Sequence, residues 1–212
     1  YLDDINVAFD TALQLIRYQH FTVNHQEFDA EIDHLLNKKL LLLPVGYKGH
    51  AITFVNYADI LVKCDRGEWG REHGSVVIYR MKRPERFNKA FIKNLIYTKQ
   101  SEESIIEDIP RYLELVPLTQ IPIPVQITGN CSWANTEAVV AVILFILQMA
   151  EYKTNAPDIV IQSKGNALKF YRLWIAWDKS TALSEFIQSI KEATKERKAA
   201  KLMQLAALVF QK

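Results

Sequence analysis

Two cysteines, Cys64 and Cys131, are too few in 212 residues to build a disulfide framework. Their scarcity excludes the small disulfide-stapled class and suits a reducing compartment, which leaves both thiols free for chemistry. Glycine is also sparse, at seven residues, and none falls in a phosphate-cradling loop pattern. Neither sign of charge dominates. A formal net charge of +2 makes no case for nucleic acid or for an acidic substrate. Internal repeats are absent. Long apolar runs are missing too: the longest, residues 138–147, holds ten residues between Glu137 and Gln148, against the roughly 20 that a spanning helix needs. It reads as a helix buried in a core, and no membrane span is expected. The cysteines and scattered histidines lack the close spacing of a zinc site, so no metal or other cofactor is expected.

What the chain does have is enough apolar content, 49%, to bury one substantial core, or a core plus a small helical subdomain. Leu2, Ile5, Phe9, Leu13 and Ile16 recur at helical spacing, and a second helix is expected near residues 26–38 with Phe28, Ile32, Leu35 and Leu36 inward. The period then changes. Residues 40–45, 50–55, 59–64 and 75–79 are short runs rich in β-branched and aromatic residues, and the middle two are separated so briefly that they predict an antiparallel hairpin. Helices are expected over 84–97, opening on Pro84, and from Ser101, interrupted by Pro110. Residues 121–126 return as an extended segment whose alternate prolines, Pro122 and Pro124, fit an edge or a substrate-facing strand. The fold class expected is therefore α+β, with a small antiparallel sheet packed on a buried central helix and extra helices at both ends. A domain over 1–156, with its core at about 40–150, is expected to lead into a helical extension or linker over 157–212. In that extension Ser180 reads as the N-cap of a long helix with Lys191, Lys195, Arg197, Lys198 and Lys201 on a basic face. That face is a solvated surface on the plain reading and a membrane, nucleic-acid or partner surface on the functional one. With Tyr1 rather than methionine at its start, the chain is expected to be an excised domain.

Cys131 follows Gly129-Asn130 and precedes the apolar run, which puts its sulfur at a helix N-terminus. There the first-turn N–H groups and the helix dipole favour a thiolate over the ordinary thiol of pKa about 8.5. A nucleophile needs a base, and all five histidines (His20, His25, His34, His50, His73) precede the cysteine. His50 opens one strand of the hairpin and Asp65 ends the other, so the two can meet at one edge of the sheet. Gln126, five residues before Cys131, can aim its amide at the oxygen of a tetrahedral intermediate together with the Cys131 N–H. Each of these residues also has a plainer reading. Cys131 fits a small core hydrophobe, His50 a polar strand entry, Asp65 ordinary turn chemistry with Glu68 and Glu72 as substitutes, and Gln126 a solvent-facing glutamine. Cys64, inside a strand, lacks a dipole to activate it.

The series Gly49-His50-Ala51-Ile52-Thr53-Phe54, Ile60-Leu61-Val62-Lys63-Cys64-Asp65 and Gln126 through Cys131 resembles the His, Asp, Gln, Cys order of the clan CE cysteine proteases. That clan includes the Ulp/SENP-type SUMO proteases, the SidE-type deubiquitinase domains and the YopJ-type acetyltransferases. The combination is also similar to cysteine-protease-like domains of Legionella-type effectors that carry ankyrin repeats. The resemblance implies a papain-like fold and a thiol hydrolase with His50 as base, Asp65 as orienter, Gln126 as oxyanion donor and Cys131 as nucleophile. It further implies a protein substrate, with a ubiquitin-like conjugate as one class, and an ankyrin-repeat domain elsewhere in the full-length protein. Two positions depart from the SUMO-protease pattern: Ala51 replaces an aromatic after the histidine, and Ser132 replaces a glycine after the cysteine. The expected activity is hydrolysis of an amide or isopeptide bond. The alternatives are acetyl transfer through the same residues and a catalytically idle binding module. The expected location is cytoplasmic, or the host cell if the protein is a secreted effector.

Overall fold

Four runs of β-branched and aromatic residues, with a fifth strand that the sequence disguised, pair into one antiparallel sheet. The computed structural model describes residues 1–20, 22–47, 49–126, 131–152, 156–194 and 197–203. The strands are β1 (Leu40–Tyr47), β2 (His50–Tyr57), β3 (Ile60–Cys64), β4 (Val76–Met81) and β5 (Leu115–Gln120), ordered β1-β2-β3-β4-β5. The expected hairpin is β2 with β3, in the register Thr53 to Cys64 and Tyr57 to Ile60. The edge strand is β5 rather than residues 121–126. Pro117 costs β5 little because an outer strand leaves one row of backbone groups unpaired in any case. Residues 121–126 continue from it without regular structure, tied by Ile121 N–H to the Val76 carbonyl and by Gln126 N–H to the Arg66 carbonyl.

Both faces of the central strands are buried, which explains why their sequences read as apolar runs rather than alternating ones. On one face Leu41, Leu43, Val45, Ile52, Phe54 and Leu61 form a core with helices α1 (Leu2–Arg17), α2 (Asp29–Leu35) and α4 (Lys89–Tyr97). On the other, Thr53, Val55, Val62 and Cys64 are buried beneath α6 (Cys131–Tyr152), which packs across β2 and β3. Between them in sequence lie two short helices, α3 (Glu68–His73) and α5 (Ile109–Leu113).

The first helix forms where expected but is rotated about its axis. Its buried stripe is Ile5, Ala8, Ala12 and Leu15, while Leu2, Leu13 and Ile16 are exposed. Two alanines let the helix approach β1 closely, which outweighs the larger residues on the neighbouring face. The expected second helix begins as a 3-10 turn at His25–Phe28, capped by Asn24, with Phe28 partly exposed against Tyr18. Pro84 opens only a 3-10 turn, and α4 starts at Lys89 once the Asn88 side chain accepts the Phe91 N–H at 3.0 Å.

By length and composition α6 is apolar enough to cross a membrane: Ala134–Tyr152 has a mean hydropathy of 1.5 over 19 residues. Its position answers the question, because Ala138, Val139, Val140, Ala141, Val142 and Ile143 are all buried inside the protein, on every side of the helix. Each large apolar side chain so buried contributes about 1.5–3 kcal/mol. The long helix α7 (Pro157–Lys191) runs through Ser180 instead of starting there, and the Ser180 carbonyl accepts the Ser184 hydroxyl at 2.9 Å. After Gly165 no glycine or proline interrupts it up to Lys191. The chain divides into two compact units, Tyr1–Leu168 and Lys169–Lys212. Lys195, on the expected basic face, lies outside the described residues.

Candidate functional site

A tight turn fixes the first functional side chain. Gly49 adopts φ +74°, a conformation glycine takes without strain, and the register it sets pairs Tyr47 with His50. Their rings meet edge to face at 5.5 Å. Asp65 follows β3 directly, held by its N–H on the Ser75 carbonyl at 2.8 Å, and is 1% exposed. A buried carboxylate is costly unless its lone pairs are used, and here they are. Oδ1 receives His50 Nε2 at 2.8 Å and the Gly67 N–H at 3.1 Å, while Oδ2 receives the Tyr47 hydroxyl at 3.1 Å.

Cys131 opens α6, and its sulfur accepts the Ala51 N–H at 3.3 Å. The Cys131 side chain also acts on the His50 ring, whose pKa it helps to raise. With Nε2 committed to Asp65, Nδ1 is the nitrogen left for the thiol. The imidazole thus lies between a carboxylate and a sulfur. Its pKa is raised, first by the Asp65 hydrogen bond, against desolvation, with the Asp65 charge and Cys131 adding to the rise. Burial pushes the Asp65 carboxyl up, yet the His50 and Gly67 hydrogen bonds and the charges of His50 and Lys63 leave it below the usual carboxylate range. Burial and the Asp65 charge raise the Tyr47 hydroxyl well above its ordinary value, so it remains a proton donor.

Gly67 is required by close approach. A Cβ there would stand 2.7 Å from both Cε1 and Nε2 of His50. Gly70, on α3, similarly presses against the Asp65 carbonyl, where a Cβ would collide. α3 is therefore the backstop of the His50–Asp65 pair.

The nucleophile's helix is tied to the base's strand by Asn135. This side chain is fully buried; its Oδ1 accepts the Arg66 N–H at 2.7 Å and its Nδ2 donates to the Ala51 carbonyl at 2.6 Å. One turn after Cys131, it links α6 to the residues following His50 and Asp65. Arg66 reinforces the joint through its Nε to the Pro124 carbonyl at 2.7 Å and its Nη1 to the Ala134 carbonyl at 2.9 Å and to Glu137 at 2.8 Å.

Gln126 shares with Tyr47, His50, Gly67 and Trp69 the wall of a cleft of about 500 Å3. Its Oε1 is buried with no hydrogen-bond partner among the described residues, and residues 127–130 between it and Cys131 lie outside them. The structure thus brings His50, Asp65 and Cys131 together and sets Gln126 in the cleft beside His50. Glu68 and Glu72, the alternatives to Asp65, ride exposed on α3. Cys64 is fully buried, and burial drives its thiol pKa far up. Among the described residues, no group of three or more histidine, cysteine or acidic side chains is placed to hold a metal. Tyr47, Gly67, Asn135 and Arg66 were not visible as site residues in the sequence. Only Asn135 carried a usable signal, its spacing of four from Cys131, which puts both on one helix face.

Fold and site define an α+β domain bearing a thiol–imidazole–carboxylate constellation at one end of its sheet. No family model matches the chain, and no curated protein does. Among solved structures it is similar to the Legionella effector AnkH, with a TM-score of 0.81 and 39% sequence identity over 100% of this chain. The chain spans 43% of the length of that structure's chain.

Proposed function

We propose that this chain is a papain-like cysteine hydrolase module of a bacterial effector, acting in a host cell on an amide or isopeptide bond of a protein substrate. The observation that carries the reading is the His50 imidazole, set between Asp65 Oδ1 and the Cys131 sulfur. His50 takes the thiol proton, and Asp65 stabilises the resulting imidazolium and holds its orientation. The Cys131 sulfur attacks the carbonyl carbon, and the developing oxyanion is met by the N-terminal N–H groups of α6 and by Gln126. Collapse breaks the C–N bond as His50 returns the proton to the leaving amine. Water, deprotonated by His50, then releases the acyl group and restores the thiol. A ubiquitin-like conjugate is the substrate class that clan CE resemblance supports, and similarity to AnkH supports the effector setting.

The test is the pH dependence of Cys131 alkylation by iodoacetamide in the parent and in His50→Ala, with Cys64→Ala in both. The reading expects a midpoint well below about 8.5 that returns toward it without His50. Labelling of Cys131 by ubiquitin or SUMO carrying a C-terminal electrophile then identifies the substrate class. An ordinary titration in the parent overturns the hydrolase reading in favour of a binding module.

A further inference from the structure

One buried charge at the edge of this site has no part in the proposed reaction. Lys63 lies on β3, two residues before Asp65, and is 4% exposed. Its strand partners, Phe54 on β2 and Val77 on β4, are apolar and offer it no counter-charge. Its ammonium sits 3.0 Å from the centroid of the Trp69 ring, and Trp69 in turn stacks on His73 at 4.3 Å with the planes 15° apart. Both aromatic residues belong to α3. That helix also brings Gly70 against the Asp65 carbonyl, and the residue before it, Gly67, gives its N–H to Oδ1 and leaves the gap that the His50 ring fills.

We infer that Lys63 is a positioning residue for the His50–Asp65 pair: its cation–π contact with Trp69 clamps α3 to the sheet and holds the Gly67 turn against the imidazole. The inference rests on the proposed hydrolase reading, but its mechanism is separable from it. Lysine is an expensive residue at this position, since burial pushes its ammonium pKa down to about 7. Asp65 is the titratable neighbour that opposes this, and His73 lies beyond the Trp69 ring. A cation on an indole face, further desolvated, is the strongest form of this contact. Removing the clamp lets α3 drift, lengthens the Asp65–His50 hydrogen bond and lowers the imidazole midpoint. Simple loss of positive charge would do the reverse, because a nearby cation disfavours an imidazolium. The two mechanisms therefore differ in sign.

The experiment follows the His50 imidazole by NMR titration and Cys131 alkylation by rate, in the parent, Lys63→Met, Lys63→Arg, Trp69→Leu and Trp69→Phe. Positioning expects the His50 midpoint to fall in Lys63→Met and in Trp69→Leu. Alkylation at pH 6, where Lys63 keeps its charge, slows with it, by about tenfold for each unit the thiol midpoint rises. Lys63→Arg and Trp69→Phe, which keep a cation on a ring, retain most of the parent behaviour. An unmoved His50 in Lys63→Met overturns the inference, as does a midpoint that rises while Trp69→Leu stays silent. A fall shared equally by Lys63→Arg overturns it as well. An ordinary thiol titration in the parent would sink the hydrolase reading alone, because the His50 titration still decides the role of Lys63.

Discussion

Replacing Lys63 by methionine is expected to make the protein more stable while making its site worse. An unfolded lysine titrates near 10.4 and the folded one at about 7. At about 1.36 kcal/mol per unit, this separation costs the folded state roughly 4–5 kcal/mol once the pH is at or below 7. The cation–π contact with Trp69 is separate from the desolvation behind this cost and opposes it, and methionine forfeits it, at roughly 0.5–2 kcal/mol, while keeping the apolar stem. The expected net gain at pH 7 is about 2–4 kcal/mol. It has a distinctive pH signature. Between 7 and about 10.4 the unfolded lysine holds a proton that the folded one has lost, so unfolding takes up a proton and parent stability rises with pH. The Lys63→Met variant lacks that rise. Urea unfolding of both proteins from pH 6.5 to 10 should therefore give a stability difference that is largest at the acid end and shrinks steadily toward the alkaline end. A difference that is flat across this range would refute the account of Lys63 as a buried, charge-penalised ammonium.

Gly67→Ala places a Cβ where the His50 ring stands, so alkylation of Cys131 at pH 7 is expected to fall toward the His50→Ala rate while the thermal midpoint changes little. Parallel kinetics and melting curves check this, and a variant with parental kinetics rules out the close-approach argument. Asn135→Ala leaves the part-buried Arg66 N–H and Ala51 carbonyl without these partners, which at about 1–3 kcal/mol per unsatisfied group predicts a loss of roughly 2–6 kcal/mol in urea unfolding. Tyr47→Phe removes one neutral donor from Asp65, for an expected loss near 1–2 kcal/mol by the same measurement.

Much of the site could be read in the sequence because strand geometry is strict. A hairpin with a two-residue connection fixes its register, so the start of β2 and the end of β3 had to share an edge, and His50 and Asp65 with them. The helix behind Cys131 was equally legible from ten unbroken apolar residues. What failed depended on partners far away in the chain. β5 was hidden because Val116, Pro117 and Leu118 are exposed on an edge and show no alternation. The buried face of α1 was misjudged because close approach to β1 favours Ala8 and Ala12 over bulk. Asn135 and Arg66 gain their roles only when α6 lies across β2, a packing decision no local pattern records.

Asp65→Asn isolates what the carboxylate contributes beyond its place in the scaffold. The amide is isosteric, so Oδ1 still accepts the Gly67 N–H and the buried volume is unchanged. The charge is what disappears. In the parent, the raised His50 pKa means that imidazolium stabilises the fold fully below about 6.5, an increment lost as the pH rises through the folded value. The lowered Asp65 pKa supplies an increment present above about 3.9 and lost as the pH falls through its own folded value. The pair thus strengthens the protein most between those limits. In the variant, desolvation of His50 acts without its counter-charge, so the imidazole midpoint should drop below about 6.5 and the Cys131 midpoint should climb toward about 8.5. Stability at pH 8 should fall, because the increment from the lowered Asp65 pKa is present there and the amide cannot supply it. A His50 titration unmoved by Asp65→Asn would mean that the ring is held by packing against Tyr47 and Gly67 alone. Asp65 would then be a structural acceptor, and activation of Cys131 would have to come from the α6 N-terminus without a charged relay behind it.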